Sequence, residues 1–409
     1  MGAMWNRGGI AALVIACGAC HTAFPSVPSE GGPAWTELTS DHFIVWTDDS
    51  PGAGRNLLGV MEHMRQIVFG VSVFNPTSNA KAFVIALRDQ YEVRPYVPEN
   101  LIALAGPPRY PLFQPTILLS TESLDYDRRV TIHELAHVIS FDALPVQPRW
   151  FAEGLAGYFE TMQLDEDTGA FDLGGARSDF LRLLRQPAGI MPIADLFACT
   201  ELQCLDTRFY PTAWTLFAYL ANRRPDDLLR YVRRLTALDH DAQAGAWAEV
   251  LPDLTPAKLD GMLSDWIRFG ELAVHRYKVK LKDFAVTTRA LGDADVYTAR
   301  ALLRHAHHPK GPPPAEVSAA LAIDPTNVVA HMVRRAHDGQ LSPETARSLT
   351  AAHPDDWRAW LLLKLVLKHG AEAQAAHARA CSLVASSPAT LPEVACSARA
   401  LADEIQIGR

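Results

Sequence analysis

Residues of the types that bind metal ions occur together in the sequence H-E-L-A-H at positions 133–137. The surrounding stretch 130–141 is apolar and predicts a helix. Positions four apart lie on the same helix face, so His133 and His137 can present both imidazoles to one metal ion. Glu134 lies one step round the helix, within reach of a water molecule at that ion. This spacing is typical of a catalytic zinc site in which the glutamate is the general base.

A catalytic zinc ion needs a third protein ligand and an open fourth position. The predicted third ligand is Glu153, sixteen residues beyond His137, on a second apolar helix that begins at Trp150 after two prolines. The alternative is a buried helix whose His and Glu side chains are satisfied by hydrogen bonds. Three ionisable groups buried together without a metal would be costly, so the sequence favours a Zn²⁺ site.

The motif and the segment P-R-W-F-A-E-G-L-A at 148–156 resemble the gluzincin zinc metallopeptidases. The likeness is greatest to the bacterial peptidase MA-like group, whose pattern is H-E-L-x-H followed by P-x-W-x-x-E-G-x-A. It extends over about residues 35–270. The resemblance implies a zincin-like metallopeptidase domain with His133, His137 and Glu153 as zinc ligands and Glu134 as the base.

One position departs from the thermolysin-like members of that group. They carry an Asp four residues after the ligand glutamate, where it orients a His ligand, and this chain has Gly157 there. Another carboxylate or carbonyl must then hold the imidazole. The two carboxylates that we consider for this role are Asp142 and Glu160.

Peptide hydrolysis also needs a hydrogen-bond donor for the oxyanion. Tyr210, at the head of a later predicted helix, is the candidate, because in the resembling family a Tyr commonly stands at this place. A Tyr at a helix start is otherwise a core or capping residue. Tyr158, Arg149 and Arg208 are weaker candidates, and an Arg beside the site could instead bind a peptide carboxylate.

The N-terminus predicts export. Residues 1–20 contain Arg7, a short apolar run and small residues, which is the pattern of a signal peptide too short to span a membrane. The sequence V-I-A-C ending at Cys17 resembles a bacterial lipobox, which implies a lipid anchor at a membrane surface. The alternative is plain secretion with cleavage near Ala19 or Ala23.

Composition and local patterns divide the rest of the chain. We predict a flexible Pro- and Ser-rich tether at 21–34, an α+β zincin-like domain at 35–270, a linker at 271–296 and an all-α repeat domain at 297–409. The α+β domain is expected to have a small N-terminal mixed sheet and a helical half. The net charge of −8 argues against nucleic acid as a partner.

Periodicity places the elements of the α+β domain. Strands are predicted at 42–47, 82–87 and 116–119, and helices at 56–69, 176–184, 212–221, 226–236 and 256–269. The strand at 116–121 is the candidate for pairing with a substrate backbone, and the alternative is an ordinary core strand. An alternating run at 277–282 predicts a linking strand.

The last third is rich in Ala and Leu, with Pro-bearing breaks at Pro325, Pro354 and Pro388. Their spacings of 29 and 34 are close to the tetratricopeptide repeat length of about 34. We predict about three degenerate helix pairs that offer a surface for a protein partner. The alternative is a helical bundle that packs on the catalytic part.

The cysteines are consistent with an oxidising compartment. Cys199 and Cys204, and likewise Cys381 and Cys396, are spaced for two disulfides. The alternative is free buried thiols.

Together these features predict an exported zinc metallopeptidase of the bacterial cell envelope. The alternative function is an envelope lipoprotein that acts as a protein-binding scaffold through its repeats, with a zinc domain of negligible or highly selective activity. The sequence defines neither the substrate nor the choice between endopeptidase and exopeptidase action.

Overall fold

The structure is a computed structural model. It describes residues 26–71, 81–98, 102–106, 114–122, 128–144, 147–165, 167–200, 206–237, 243–308, 310–339 and 341–386. The predicted signal peptide, the lipobox with Cys17, and the break at Pro388 lie outside these residues.

Six strands of the described residues form one mixed sheet. Numbered along the chain, its order from edge to edge is β4 (Leu104–Gly106), β5 (Thr116–Ser120), β3 (Ala82–Leu87), β2 (Phe43–Thr47), β1 (Trp35–Thr39) and β9 (Thr287–Leu291). The neighbours β2, β3 and β5 are parallel, and the other pairs are antiparallel. Every residue of β3 is buried, as expected for a central strand covered on both faces. The α+β fold class is therefore confirmed.

Among the described residues, three α-helices belong to this first part of the chain, α1 (Pro51–Val71), α2 (Gln90–Val93) and α3 (Arg128–Ala143). The apolar residues predicted for α1 are buried, among them Leu57, Met61 and Met64. The helix begins earlier than predicted, at Pro51, where the sequence indicated a turn. Proline suits the first turn of a helix because the missing N–H has no partner there in any case. Helices α1 and α3 pack together on one face of the sheet.

The helical half follows α3. Its helices are α4 (Arg149–Glu160), α5 (Ser178–Leu184), α6 (Ile193–Ala198), α7 (Phe209–Arg223), α8 (Pro225–Thr236), α9 (Gln243–Val250) and α10 (Pro256–Phe269). A small antiparallel sheet, β6 (Gln163–Asp165), β7 (Ala170–Leu173) and β8 (His275–Lys278), lies beside them. The four helices predicted between 176 and 269 are present, whereas the hairpin β6–β7 was not predicted.

Close packing of α4 against α7 depends on one glycine. A Cβ built at Gly154 would lie 2.5 Å from the carbonyl oxygen of Ala213. No side chain fits there without a shift of the α7 backbone. At the start of α4, the ring of Trp150 stacks on Tyr231 and meets Trp247 edge-on, which anchors the helix in the core. Helix α4 thus packs between α3 and α7.

The C-terminal part begins by returning to the large sheet. Strand β9 pairs with β1, and α11 (Asp293–His307) packs through Val296 and Leu303 on the sheet face opposite α1 and α3. The remaining helices are α12 (Ala315–Ile323), α13 (Val328–Asp338), α14 (Pro343–Ala352), α15 (Trp357–Leu367) and α16 (Ala371–Ser386). Consecutive helices contact one another from α11 to α13 and again from α14 to α16, and α13 packs on α15. Their classification as tetratricopeptide-like repeats stays a prediction.

Two further observations concern the predicted compartment. Cys199 and Cys381 are each disulfide-bonded, while Cys204 and Cys396 lie outside the described residues. Among the described helices, none combines the length and the apolar character that crossing a bilayer requires.

Candidate metal centre

Helix α3 positions the two histidines at the edge of the hydrophobic core. Ile132, Leu135 and Ile139 are buried in the core that α3 shares with α1 and the sheet. His133 and His137 lie one turn apart on another face of the helix, with ring centroids 4.8 Å apart. Their side chains are 16% and 10% exposed. The apolar side of α3 therefore fixes the helix, and the imidazoles face α4.

Glu153 on α4 completes a three-residue cluster. Its Oε2 lies 3.2 Å from Nε2 of His133 and 3.3 Å from Nε2 of His137. The three ligand atoms all lie within 4.8 Å of one another. Ligands about 2.0–2.1 Å from a tetrahedral zinc ion are separated by about 3.3 Å. The donor set and its spacing thus fit Zn²⁺, and the structure brings together all three predicted ligands.

The carboxylate that orients His133 is Glu160. Its Oε2 lies 2.8 Å from Nδ1 of His133, and its Oε1 accepts a hydrogen bond of 3.2 Å from Arg177. Seven residues are almost two full turns, so Glu160 and Glu153 lie on the same face of α4. The side chain of Asp142, the other candidate, lies outside what the structure describes.

The structure also accounts for Gly157 and for the second histidine. At Gly157, helix α4 faces Trp214 on α7, so a carboxylate there would point away from the imidazoles. Within the described residues, His137 has no carboxylate on its other nitrogen. Among the described residues, its enclosed Nδ1 finds no hydrogen-bond partner, and its ring lies nearly parallel to that of Phe141. Within the described residues, both imidazoles contact Glu153, but only His133 has a second carboxylate, on its Nδ1.

Electrostatic coupling within the cluster is strong. Burial alone would lower the pKa of His133, but hydrogen bonds to Glu153 and Glu160 outweigh it and raise that pKa well above its usual value. Burial alone would raise the pKa of Glu153, but the neighbouring imidazoles hold it well below its usual range. Hydrogen bonds among these groups, the alternative to a metal that the sequence left open, are thus present. Zinc binding to the same groups would release the protons that they hold.

Glu134 lies beside this cluster and contacts the edge of the sheet. Its carboxylate lies close enough to the backbone N–H of Ala105 on β4 for that group to lower the pKa of Glu134. Burial raises the pKa of Glu134, although the charges on His137 and His133 lower it in part. A carboxyl group with a raised pKa is better suited to accept and return a proton near neutral pH.

Strand β4 also bears on the strand that was predicted to pair with a substrate, because it lies next to β5. Strand β5 lies between β3 and β4. Its edge toward β3 is paired throughout, and its other edge is paired with β4 at Thr116, Ile117 and Leu118. The prediction that Thr116–Thr121 binds a substrate backbone is therefore wrong for these three residues, where the core-strand alternative holds. Within the described part of the chain, β4 is the edge strand on that side of the sheet. The sequence did not show it because three residues, Leu-Ala-Gly, carry no periodic pattern.

Tyr210 is the second residue of α7. Burial raises the pKa of its hydroxyl, and the charges of Glu153 and Glu134 add to that effect while the charge on Arg149 opposes it. The hydroxyl thus lies within electrostatic reach of the cluster. The weaker candidate Tyr158 packs against Phe159 and Phe217 in the core, where burial raises its pKa to about 12.

The two arginine candidates differ in their partners. Arg208 forms an ion pair of 2.7 Å with Asp206, which indicates a surface role. Arg149 is the first residue of α4 and affects the Tyr210 hydroxyl electrostatically.

Part of the chain matches the model of a protein family. Residues 130–239 match the model of a family described as "Protein of unknown function (DUF1570)". The matched segment covers roughly a quarter of the chain and includes the predicted ligands, Glu134 and Tyr210. No curated protein matches the chain.

Proposed function

We propose that this protein is an exported zinc-dependent metallopeptidase with a zincin-like catalytic domain. One observation carries the proposal, the convergence of His133 Nε2 and His137 Nε2 on a single oxygen of Glu153 at 3.2 and 3.3 Å. Glu134, between the two histidines in sequence, adds the base that a structural zinc site would not need. The sheet, the motif helix and a short antiparallel edge strand beside it support the zincin-like classification.

His133, His137 and Glu153 would hold the ion. A bound Zn²⁺ supplies Lewis acidity, which lowers the pKa of water and polarises a peptide carbonyl. The Glu134 carboxylate takes a proton from the attacking water and delivers it to the amine that leaves when the peptide C–N bond breaks. Burial of Glu134 supports this role because it raises the pKa of the carboxyl group.

Two further groups position the substrate and its developing charge. The Tyr210 phenol is a neutral donor at neutral pH, since burial raises its pKa, and it donates a hydrogen bond to the carbonyl oxygen as negative charge forms. Within the described residues, the outer edge of β4 has no partner strand, and we infer that its backbone groups pair with an extended peptide. Ala105 lies close to the Glu134 carboxylate, which puts the base beside that edge.

Digestion of a random peptide library by the full chain tests the proposal. Cleavage is expected with zinc, with loss after 1,10-phenanthroline and recovery when Zn²⁺ is restored. A variant with Glu249→Gln, at a surface ion pair with Arg234, serves as a matched control and should cleave like the wild type. Cleavage that a chelator leaves unchanged would contradict the proposal. No cleavage, together with zinc-independent capture of a partner by residues 297–409, would favour the scaffold function.

A further inference from the structure

Arg149 has a position that the proposed mechanism does not use. It is the first residue of α4, four residues before Glu153, so the two side chains leave the same face of the helix. Helical side chains lean toward the N-terminus of their helix. The side chain of Arg149 therefore leaves α4 on the side of Glu153 and leans toward the N-terminal end of the helix.

The guanidinium of Arg149 has no carboxylate partner within the described part of the chain. Its Nε is enclosed and makes no hydrogen bond there. Two other arginines of the helical half are paired, Arg177 with Glu160 and Asp179, and Arg224 with Asp227 and Asp253. Enclosing part of a guanidinium without a hydrogen-bond partner costs stability. A ligand that brings the anion would offset that cost.

The groups around Arg149 belong to the candidate site. Its charge acts on the Tyr210 hydroxyl, on which the charges of Glu134 and Glu153 also act. A molecule that occupies the space between base and phenol therefore lies close to the guanidinium. The neighbouring carboxylates repel anions, and Arg149 is a group outside the metal cluster that favours a negative charge.

We propose that Arg149 binds a carboxylate of the peptide substrate close to the scissile bond. This inference rests on the proposed peptidase function. The guanidinium fork matches a carboxylate with two parallel hydrogen bonds. The carboxylate belongs either to the free C-terminus, which makes the enzyme act near chain ends, or to an Asp or Glu side chain.

Matched peptide libraries distinguish these sources. A hexapeptide library is synthesised with free C-terminal carboxylates and again with C-terminal amides, and both are digested by the zinc-loaded full chain. A charge-assisted hydrogen bond of this kind corresponds to a preference of about 10–100-fold in kcat/KM. Preference for the free acids assigns the C-terminus. Equal cleavage of acids and amides, but with a preference of that size for Asp or Glu over Asn or Gln near the cut, assigns a side chain.

Two variants connect the preference to Arg149. Arg149→Gln should bring the ratio close to one, and Arg149→Lys should retain part of it, because Lys keeps the charge but loses the fork. Arg208→Gln, at a surface arginine, should leave the ratio at its wild-type value. Binding of the same libraries to zinc-loaded Glu134→Gln protein, measured by calorimetry, should show the same order without turnover.

The outcomes separate the two proposals. Wild-type cleavage with no preference for carboxylates of either kind would overturn the role of Arg149 alone. A preference that persists in Arg149→Gln would also overturn it. Absence of cleavage in both libraries would overturn the proposed function and this inference together.

Discussion

The first prediction concerns Glu160, which we expect to set the zinc affinity of the site although it is not a ligand. Replacement of Glu160 by Gln removes the negative charge 2.8 Å from Nδ1 of His133. An imidazole that donates to a carboxylate is held in the tautomer and orientation that a metal requires, and its basicity is increased. Glu160→Gln should therefore weaken zinc binding and leave the ligand set complete.

The expected size follows from the burial of Glu160. Its side chain is only 5% exposed, so water screens its interaction with His133 poorly. Loss of such a partner typically lowers metal affinity about 10–100-fold, or about 1.4–2.7 kcal/mol. The amide oxygen introduced by Glu160→Gln can still accept the hydrogen bond, which places this variant at the lower end and Glu160→Ala at the upper end. Arg177 keeps Asp179 as a partner, so the fold should persist.

Competition with a chromophoric chelator measures the zinc Kd directly. Asp179→Asn is the matched control, because it removes the other carboxylate bound to Arg177 without touching His133. Its Kd should stay within a few-fold of the wild type. An unchanged Kd in both Glu160 variants, with native circular dichroism, would refute the assigned role of Glu160.

Three other expectations follow. Tyr210→Phe should lower kcat about 10²–10³-fold with an unchanged zinc content, and a wild-type kcat would remove the hydroxyl from the mechanism. Gly154→Ala should destabilise the fold by about 1–3 kcal/mol in urea denaturation, because its Cβ would meet the Ala213 carbonyl oxygen at 2.5 Å. Gly157→Ala, with 3.5 Å to the nearest side-chain atom, should be neutral or stabilising by up to about 1 kcal/mol, and equal losses in both variants would contradict this packing. Burial and the contact with Glu92 raise the pKa of Asp48 to about 7, so the folded protein keeps a proton that the unfolded chain releases near pH 4. Stability should therefore fall as the pH rises from about 4 to about 7, and Asp48→Asn should remove that decrease in denaturation curves recorded across this range.

The pairing of the two histidines could be predicted from sequence because helical geometry alone relates them, whereas Glu153 was assigned from the pattern of the next helix. His133 and His137 are one turn apart, and the structure places both against Glu153. The strand at 82–87 was equally predictable, since it is apolar throughout. In both cases the information lies within a few consecutive residues.

The remaining parts of the site depend on distant segments. Glu160 contacts His133 only because α3 and α4 pack side by side, and its second partner, Arg177, lies beyond the hairpin β6–β7. Strand β4 is recognisable only through its pairing with β5, so the sequence did not indicate that β5 is flanked on that side. Contacts of this kind are set by packing, which periodicity does not encode.

The most direct test of the account compares zinc content and peptide turnover in the wild type and in Glu134→Gln. Glu134 is not a ligand, so both proteins should bind one zinc ion per chain with similar Kd, measured by elemental analysis and chelator competition. Only the wild type should cleave the peptide library. Turnover by Glu134→Gln, or a wild-type chain that does not bind zinc, would contradict the assignment of the site.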